Sequence, residues 1–359
     1  MITADAMSSI LRSMRSDKGA GRKRWIRIGL RRKNPIEAAG PDGVAAVAQG
    51  PRRGPAIRIR LSQEFARMRK KEEPAIPAGE VPAYQAASVV PDLKRLEDPP
   101  RKDRFQITWI GHATFLIQVG GRNFLSDPIY SQCCSPVYLP NLKRLAEPGI
   151  PFPQLPKIDA VLISHDHYDH LDRRTIRRLG REPHYFFPLG ITPWFERMRF
   201  GNCHEADWGQ TLDFHGINIH CVPAQHFSGR GVFDRNRTLW CGWVIECKGR
   251  KLYFAGDSGY SPLFTDIGRE HGPIDCALIP IGAYSPRWFM HPVHVDPREA
   301  VKIHRDVRAR RSIASHWGTF RLTDEPPAEP PIYLKKVLYE EGLTQEEFVS
   351  LRFGETIEV

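Results

Sequence analysis

Apolar positions alternate or run together in short blocks over most of the chain after residue 104, and each block ends at a turn residue, a histidine or an aspartate. Segments Phe105 to Trp109, Thr114 to Val119 and Asn123 to Leu125 have this character and predict three strands of a meander. Further strands are predicted over Ile158–Ile163, Tyr185–Phe187, Ile217–Val222, Leu239–Glu246, Lys251–Ala255, Cys276–Ile281 and Ser312–Ser315. Helical spacing predicts helices over Arg173–Leu179, Thr192–Met198, Pro262–His271, Pro297–Val307 and Ile332–Glu341. The fourth of these is the best signalled. Asp296 can cap it, Pro297 suits its first position, and Glu299 completes a capping-box spacing. Strands interleaved with helices predict two sheets packed face to face with helices outside.

Before residue 104 the pattern differs. Residues 1–55 carry basic clusters and a Gly/Ala/Pro stretch, a composition that buries little apolar surface and predicts disorder. Ile57, Leu61, Phe65 and Met68 then share one face of an amphipathic helix near 57–71, flanked by arginines and lysines. Such a helix suits an anionic membrane surface, or equally a place packed on the domain with its arginines solvated. Pro-rich residues 74–100 read as a linker. The expected division is therefore a basic extension over 1–100 and a catalytic domain over 101–359. Charge follows the same line: residues 1–72 hold 18 Lys+Arg against 6 Asp+Glu, while the remainder holds 34 against 35. Seven scattered cysteines in 359 residues fit a reducing compartment better than a disulfide framework. No apolar run approaches the roughly 18 residues of a membrane span, and the N-terminus lacks a signal-peptide core.

The densest chemistry lies directly behind a predicted strand. Ser164-His165-Asp166-His167-Tyr168-Asp169-His170-Leu171-Asp172 packs three histidines and three aspartates into nine residues. Imidazole and carboxylate together suit zinc, and also iron or manganese. In an extended loop His165 and His167 project to one side while Asp169 and His170 turn away, so two metal positions are expected. His226, Asp257 and His316 also follow predicted strands and supply the remaining ligands, with one carboxylate to bridge.

The order His-x-His-x-Asp-His, then His226, Asp257 and His316, resembles the metallo-β-lactamase fold superfamily. Several motifs more narrowly resemble the N-acylphosphatidylethanolamine-hydrolysing phospholipase D family. They are Trp109-Ile110-Gly111-His112-Ala113-Thr114, Ser126-Asp127-Pro128-Ile129-Tyr130, Pro280-Ile281-Gly282-Ala283-Tyr284, Pro286-Arg287-Trp288-Phe289-Met290, His294-Val295-Asp296-Pro297 and His316-Trp317-Gly318-Thr319-Phe320. The resemblance implies an αββα four-layer sandwich of α/β class binding two zinc ions. His165, His167 and His226 would hold one; Asp169, His170 and His316 the other; Asp257 would bridge. A histidine at 167, where di-iron relatives carry glutamate, favours zinc. Asp127 would orient a ligand histidine, and His112 would be structural or support a ligand.

The implied reaction is hydrolysis of N-acylphosphatidylethanolamine to an N-acylethanolamine and phosphatidic acid by a metal-bridged hydroxide. Asp169 and Asp257 would act through the metals and His294 as a proton donor near the phosphate. Tyr168, His294, Trp288 and Phe289 would contact substrate, with Tyr284 and Met290 also lining an apolar approach. Val293 departs from the glutamine that the family often has before His294. Expected partners are a membrane phospholipid and, through it, a peripheral membrane surface; no nucleic acid is expected, and a homodimer stays open. The expected location is intracellular and membrane-associated, with organelle targeting by the basic N-terminus as an option. A hydrolase of a soluble substrate (nucleic acid, cyclic nucleotide or lactone) is the alternative, and a catalytically inactive scaffold the third reading.

Overall fold

The computed structural model describes residues 75–100, 104–231 and 233–359. The expected disorder of residues 1–55 and the helix near 57–71 lie outside them. Within them are two seven-stranded sheets. The first runs β14 (Thr356–Glu358), β1 (Gln106–Gly111), β2 (Thr114–Val119), β3 (Arg122–Ser126), β4 (Ala160–Leu162), β5 (His184–Pro188) and β6 (Cys203–Ala206). The second runs β13 (Phe348–Val349), β12 (Ala309–Ser315), β11 (Ile274–Pro280), β10 (Arg250–Phe254), β9 (Gly242–Cys247), β8 (Ile217–Val222) and β7 (Thr211–Phe214). The helices are α1 (Leu93–Glu97), α2 (Arg173–Leu179), α3 (Thr192–Glu196), α4 (Leu263–His271), α5 (Arg287–Met290), α6 (Pro297–Asp306) and α7 (Glu329–Glu340).

Both sheets follow one plan. Three antiparallel pairings lead into three parallel ones: β14 through β3 then β3 through β6 in the first, β7 through β10 then β10 through β13 in the second. Side-chain alternation explains why the strands read as nearly continuous apolar runs, since both faces are covered. On β2, Phe115, Ile117 and Val119 enter the core between the sheets, while Leu116 joins the outer layer with Ile176 of α2 and Phe195 of α3. On β11, Cys276 and Leu278 face inward, and Ala277 and Ile279 pack with α4, α6 and α7. The result is the four-layer helix–sheet–sheet–helix order expected.

Two readings change. Residues 75–100, read as a linker, pack on the sandwich: Ile76 and Leu96 are buried, Val89 N–H donates to Phe353 O and Phe353 N–H to Ala87 O, and Arg95 donates to Gln106 and Glu358. Sparse apolar residues hid this packing, because two buried anchors suffice when backbone hydrogen bonds do the rest. Strands β6, β7, β13 and β14, and helices α1 and α5, are too short for a period to be seen.

The parallel arrangement positions the chemistry. The C-terminal ends of β1, β3, β4, β8, β10 and β12 meet at one edge of the sandwich. There the sheets are tied together: Cys241 N–H donates to Ser164 O at 2.9 Å, and His316 N–H to His112 O at 3.0 Å.

Candidate metal centre

Each candidate ligand sits just past a strand end, as expected. His165, His167, Asp169 and His170 follow β4; His226 follows β8; Asp257 follows β10; His316 follows β12. Three residues of this edge adopt left-handed backbone: His112 (φ 54°), Asp127 (φ 32°) and His316 (φ 61°). Non-glycine residues rarely do so, and such strain collects where a site over-determines the chain. Gly256 (φ +61°) lets the backbone turn into Asp257, and a Cβ there would stand 2.6 Å from the Ser164 Cβ.

The side chains converge in two groups. His165 Nε2 lies 2.8 Å from His167 Nδ1, which is 3.3 Å from His226 Nε2. In the second group His170 Nε2 and His316 Nε2 are 3.3 Å apart, and Asp169 Oδ2 lies 3.3 and 3.4 Å from them. Asp257 Oδ2 stands between: 3.0 Å from His170, 3.1 Å from His316, and 4.0 Å from both His165 and His226. His165, His170, His226, Asp257 and His316 are buried, whereas His167 and Asp169 are half-exposed and form the open side.

Supporting hydrogen bonds decide which nitrogens face the centre. His226 Nδ1–H donates to Val293 O at 2.9 Å, leaving Nε2 an acceptor. His170 Nδ1–H donates to Asp127 Oδ2 at 2.6 Å. Ser164 Oγ donates to the same carboxylate and lies 2.8 Å from His165 Nδ1. Asp127 therefore orients one histidine of each group, directly and through Ser164. Ring lone pairs aimed at one another this closely repel unless a cation lies between them. That donor set, with Asp257 Oδ1 and His316 Nδ1 buried and lacking hydrogen-bond partners, fits divalent metal ions.

Charge tells the same story. Burial pushes His165 and His226 well below the ordinary imidazole value, with neighbouring histidines adding to it. Burial also opposes charge on His170 and His316, but Asp257 and Asp169 outweigh it, holding His170 well above that value and His316 at about 9. Burial works against the charged forms of Asp257 and Asp169 too, yet His170 and its neighbours keep both well below the usual carboxylate range. Two anionic carboxylates thus demand positive charge at this spot, which protons or metal can meet.

The remaining candidates separate by position. His294 Nδ1 is 4.0 Å from Asp257 Oδ2 and has no hydrogen-bond partner; burial lowers its pKa to about 4. His112 Nε2 meets Asp169 Oδ2 at 3.0 Å. Tyr168 donates its hydroxyl to Arg230 O at 2.9 Å, so its ring and not its oxygen is presented. Trp288 and Phe289 lie half-buried on α5, one turn before His294, whose N–H bonds Met290 O at 2.8 Å. Tyr284 does not join that wall: it is buried and donates to Glu329 at 2.6 Å.

Arg230 had no signal in the sequence. Its guanidinium donates to Leu171 O at 2.8 Å and His167 O at 3.3 Å and covers the Tyr168 ring at 4.0 Å, clamping the ligand loop from a segment some sixty residues away. Ser164 was missed likewise, because its relay exists only once Asp127 is beside it.

Comparison with known proteins agrees with this architecture. Residues 122–317 match the beta-lactamase superfamily domain. The chain is 40% identical over 263 residues to N-acyl-phosphatidylethanolamine-hydrolyzing phospholipase D 1 of Caenorhabditis elegans, covering 69% of this chain and 74% of that protein. It is 34% identical to the mitochondrial protein of that name from Saccharomyces cerevisiae, over 62% of this chain and 49% of the relative. Among solved structures, a metallo hydrolase from Ignicoccus hospitalis shares the fold with TM-score 0.52 and 24% identity, covering 71% of this chain and 98% of that one. Built on this edge of convergent histidines and aspartates, the chain belongs to the N-acylphosphatidylethanolamine-hydrolysing phospholipase D family of the beta-lactamase superfamily and is a metal-dependent hydrolase.

Proposed function

We propose that the protein is a zinc-dependent phosphodiesterase that hydrolyses N-acylphosphatidylethanolamine to an N-acylethanolamine and phosphatidic acid. The observation that carries this reading is the 40% identity to a relative bearing that activity's name, across 74% of its length. His165, His167 and His226 would hold one zinc, Asp169, His170 and His316 the second, with Asp257 between them. A pair of zinc ions held there would supply a water of pKa about 7 and neutralise charge on phosphoryl oxygens. The chain's own groups do the rest. Asp127 and Ser164 keep the ligand nitrogens aimed. His294, whose Nδ1 has no hydrogen-bond partner and lies 4.0 Å from Asp257 Oδ2, serves as hydrogen-bond donor to the phosphate, whose negative charge would raise its pKa and let it pass a proton to the leaving oxygen. Trp288, Phe289 and the Tyr168 ring flank that space as apolar contacts for the lipid, and peripheral membrane contact delivers it. Organelle targeting by residues 1–33 belongs to the same reading.

The test offers the purified full-length protein a mixture of N-acylated and ordinary phospholipids and identifies products by mass spectrometry. N-acylethanolamine and phosphatidic acid should form, stop on chelation and return with zinc. Diacylglycerol in their place, or consumption of neither lipid, overturns the reading.

A further inference from the structure

Far from the metal centre, the outer face of the first sheet carries a cavity of about 400 Å³ lined by Arg177, Arg181, Arg197, Arg199, Met198 and Phe200, with Gly180 at its edge. It lies where α2 and α3 end and the chain turns into β5 and β6, so it sits at the N-terminal ends of those parallel strands. The ligands occupy the opposite, C-terminal ends. No residue of the metal centre lines it.

Its charge is unusual for this molecule. From residue 73 onward the chain is nearly neutral, with 34 basic and 35 acidic residues, yet residues 173–200 hold seven arginines against two glutamates. Four of the seven surround the cavity, and among the described residues none of these four forms an ion pair with a carboxylate. Crowded like charges repel, and in a folded body that cost is offset when an anion enters among them. The guanidinium fork is also the side chain best matched to phosphate oxygens, through paired N–H donors. Part of the lining is already held in place: Arg181 donates to Met198 O at 3.4 Å, and Arg199 is kept in left-handed backbone (φ 61°) with its N–H on Glu196 O at 2.8 Å.

The volume exceeds what a bare phosphate fills and falls at the lower end of the roughly 300–1,000 Å³ of small-molecule sites. Met198 and Phe200 give one wall an apolar character that inorganic phosphate does not use. The position also matters, because a membrane presenting substrate to the open side of the metal centre lies at the other end of the strands. We propose that this cavity binds a soluble organic phosphate, its phosphate held by the four arginines and its organic part resting on Met198 and Phe200. The cavity and its arginines stand apart from the metal centre's reaction; the choice of a soluble ligand over a lipid headgroup rests on the membrane-presented substrate of the proposed function.

Titration calorimetry on the full-length, metal-loaded protein tests it, with phenyl phosphate, inorganic phosphate and dioctanoyl phosphatidic acid below its micelle concentration as probes. The parallel sample carries Arg177→Gln, Arg197→Gln and Arg199→Gln. These exposed residues lie outside the metal centre, so melting temperature and hydrolysis of detergent-dispersed lipid should match the parent. Phenyl phosphate should bind the parent at least tenfold more tightly than either other probe, and the triple variant should lose at least tenfold in that affinity. Equal affinity for inorganic phosphate would overturn the organic part and leave a free-phosphate site. Tighter binding of the lipid would move the source to a headgroup and overturn the soluble ligand. Phenyl phosphate binding unchanged in the variant would overturn the site.

Discussion

At the scale of single residues, Asp257 and Asp127 matter for different reasons. Among the described residues Asp257 Oδ2 is the one carboxylate oxygen within 4.0 Å of nitrogens from both histidine groups. Asp257→Asn keeps the shape but removes the negative charge that, under the proposed function, two cations would share, so turnover should vanish while the folded state persists; zinc-dependent activity in the variant would refute the bridging role. Asp127→Asn acts one step further out, on His170 directly and on His165 through Ser164. Loss of such an orienting partner costs about 10–100-fold in metal affinity, measurable by competition with a chelating dye. For His294→Ala we expect turnover down about 10²- to 10⁴-fold with metal content equal to the parent's, whereas lost metal would make it a ligand. The candidate ligands were legible in the sequence because each follows an apolar strand. Arg230 and Ser164 were not, since their partners are remote in the chain or acquire meaning only in contact.

At the scale of elements, strand ends and the turns behind them set the geometry. Gly256→Ala would force a Cβ against Ser164 and require left-handed backbone from alanine. A cost of about 1–3 kcal/mol is expected from strain and overpacking, appearing as a lower melting temperature together with weaker metal retention. Unchanged retention would mean the β10 turn does not set Asp257. Helix α6 offers a pH probe away from the metals. Burial lowers the pKa of His304 from 6.5, and its Nδ1 lies 2.8 Å from Ser312 Oγ. Because the unfolded state then binds more protons, stability rises with pH up to about 6.5 and is lost as pH falls below that value. His304→Gln should flatten this part of the melting-temperature profile; an identical slope would show that His304 is not responsible. The predicted α2 matched its observed range, and α6 matched to one residue, because capping and periodicity agree there. Edge strands β6, β7, β13 and β14 escaped, being short and half-exposed, so their pairing partners and not their own side chains define them.

At the scale of the whole molecule, two regions of contrasting charge share one chain. Residues 1–72 carry 18 basic and 6 acidic groups, against a body that is close to neutral. If that segment serves a lipid enzyme, its cations contribute roughly 1 kcal/mol each near an anionic surface. Deleting residues 1–72 should therefore remove the salt-sensitive part of liposome sedimentation and spare hydrolysis of detergent-dispersed lipid. Equal sedimentation of the shortened chain would take the membrane role away from this segment. The two sheets share a pairing plan that no sequence repeat announced, because a sheet's pattern rests on backbone hydrogen bonds that many side chains permit.

Periodicity and turn chemistry, both local, were enough to determine that strands alternate with helices and that histidines and aspartates stand behind the strands. Tertiary structure alone decided that six strand ends from two sheets meet at one edge, that one aspartate lies between two histidine groups, and that four arginines from two helix ends enclose a cavity. Those facts depend on contacts between residues tens to hundreds of positions apart, whose energies are set by the packing of the two sheets and leave no trace in any short stretch of chain.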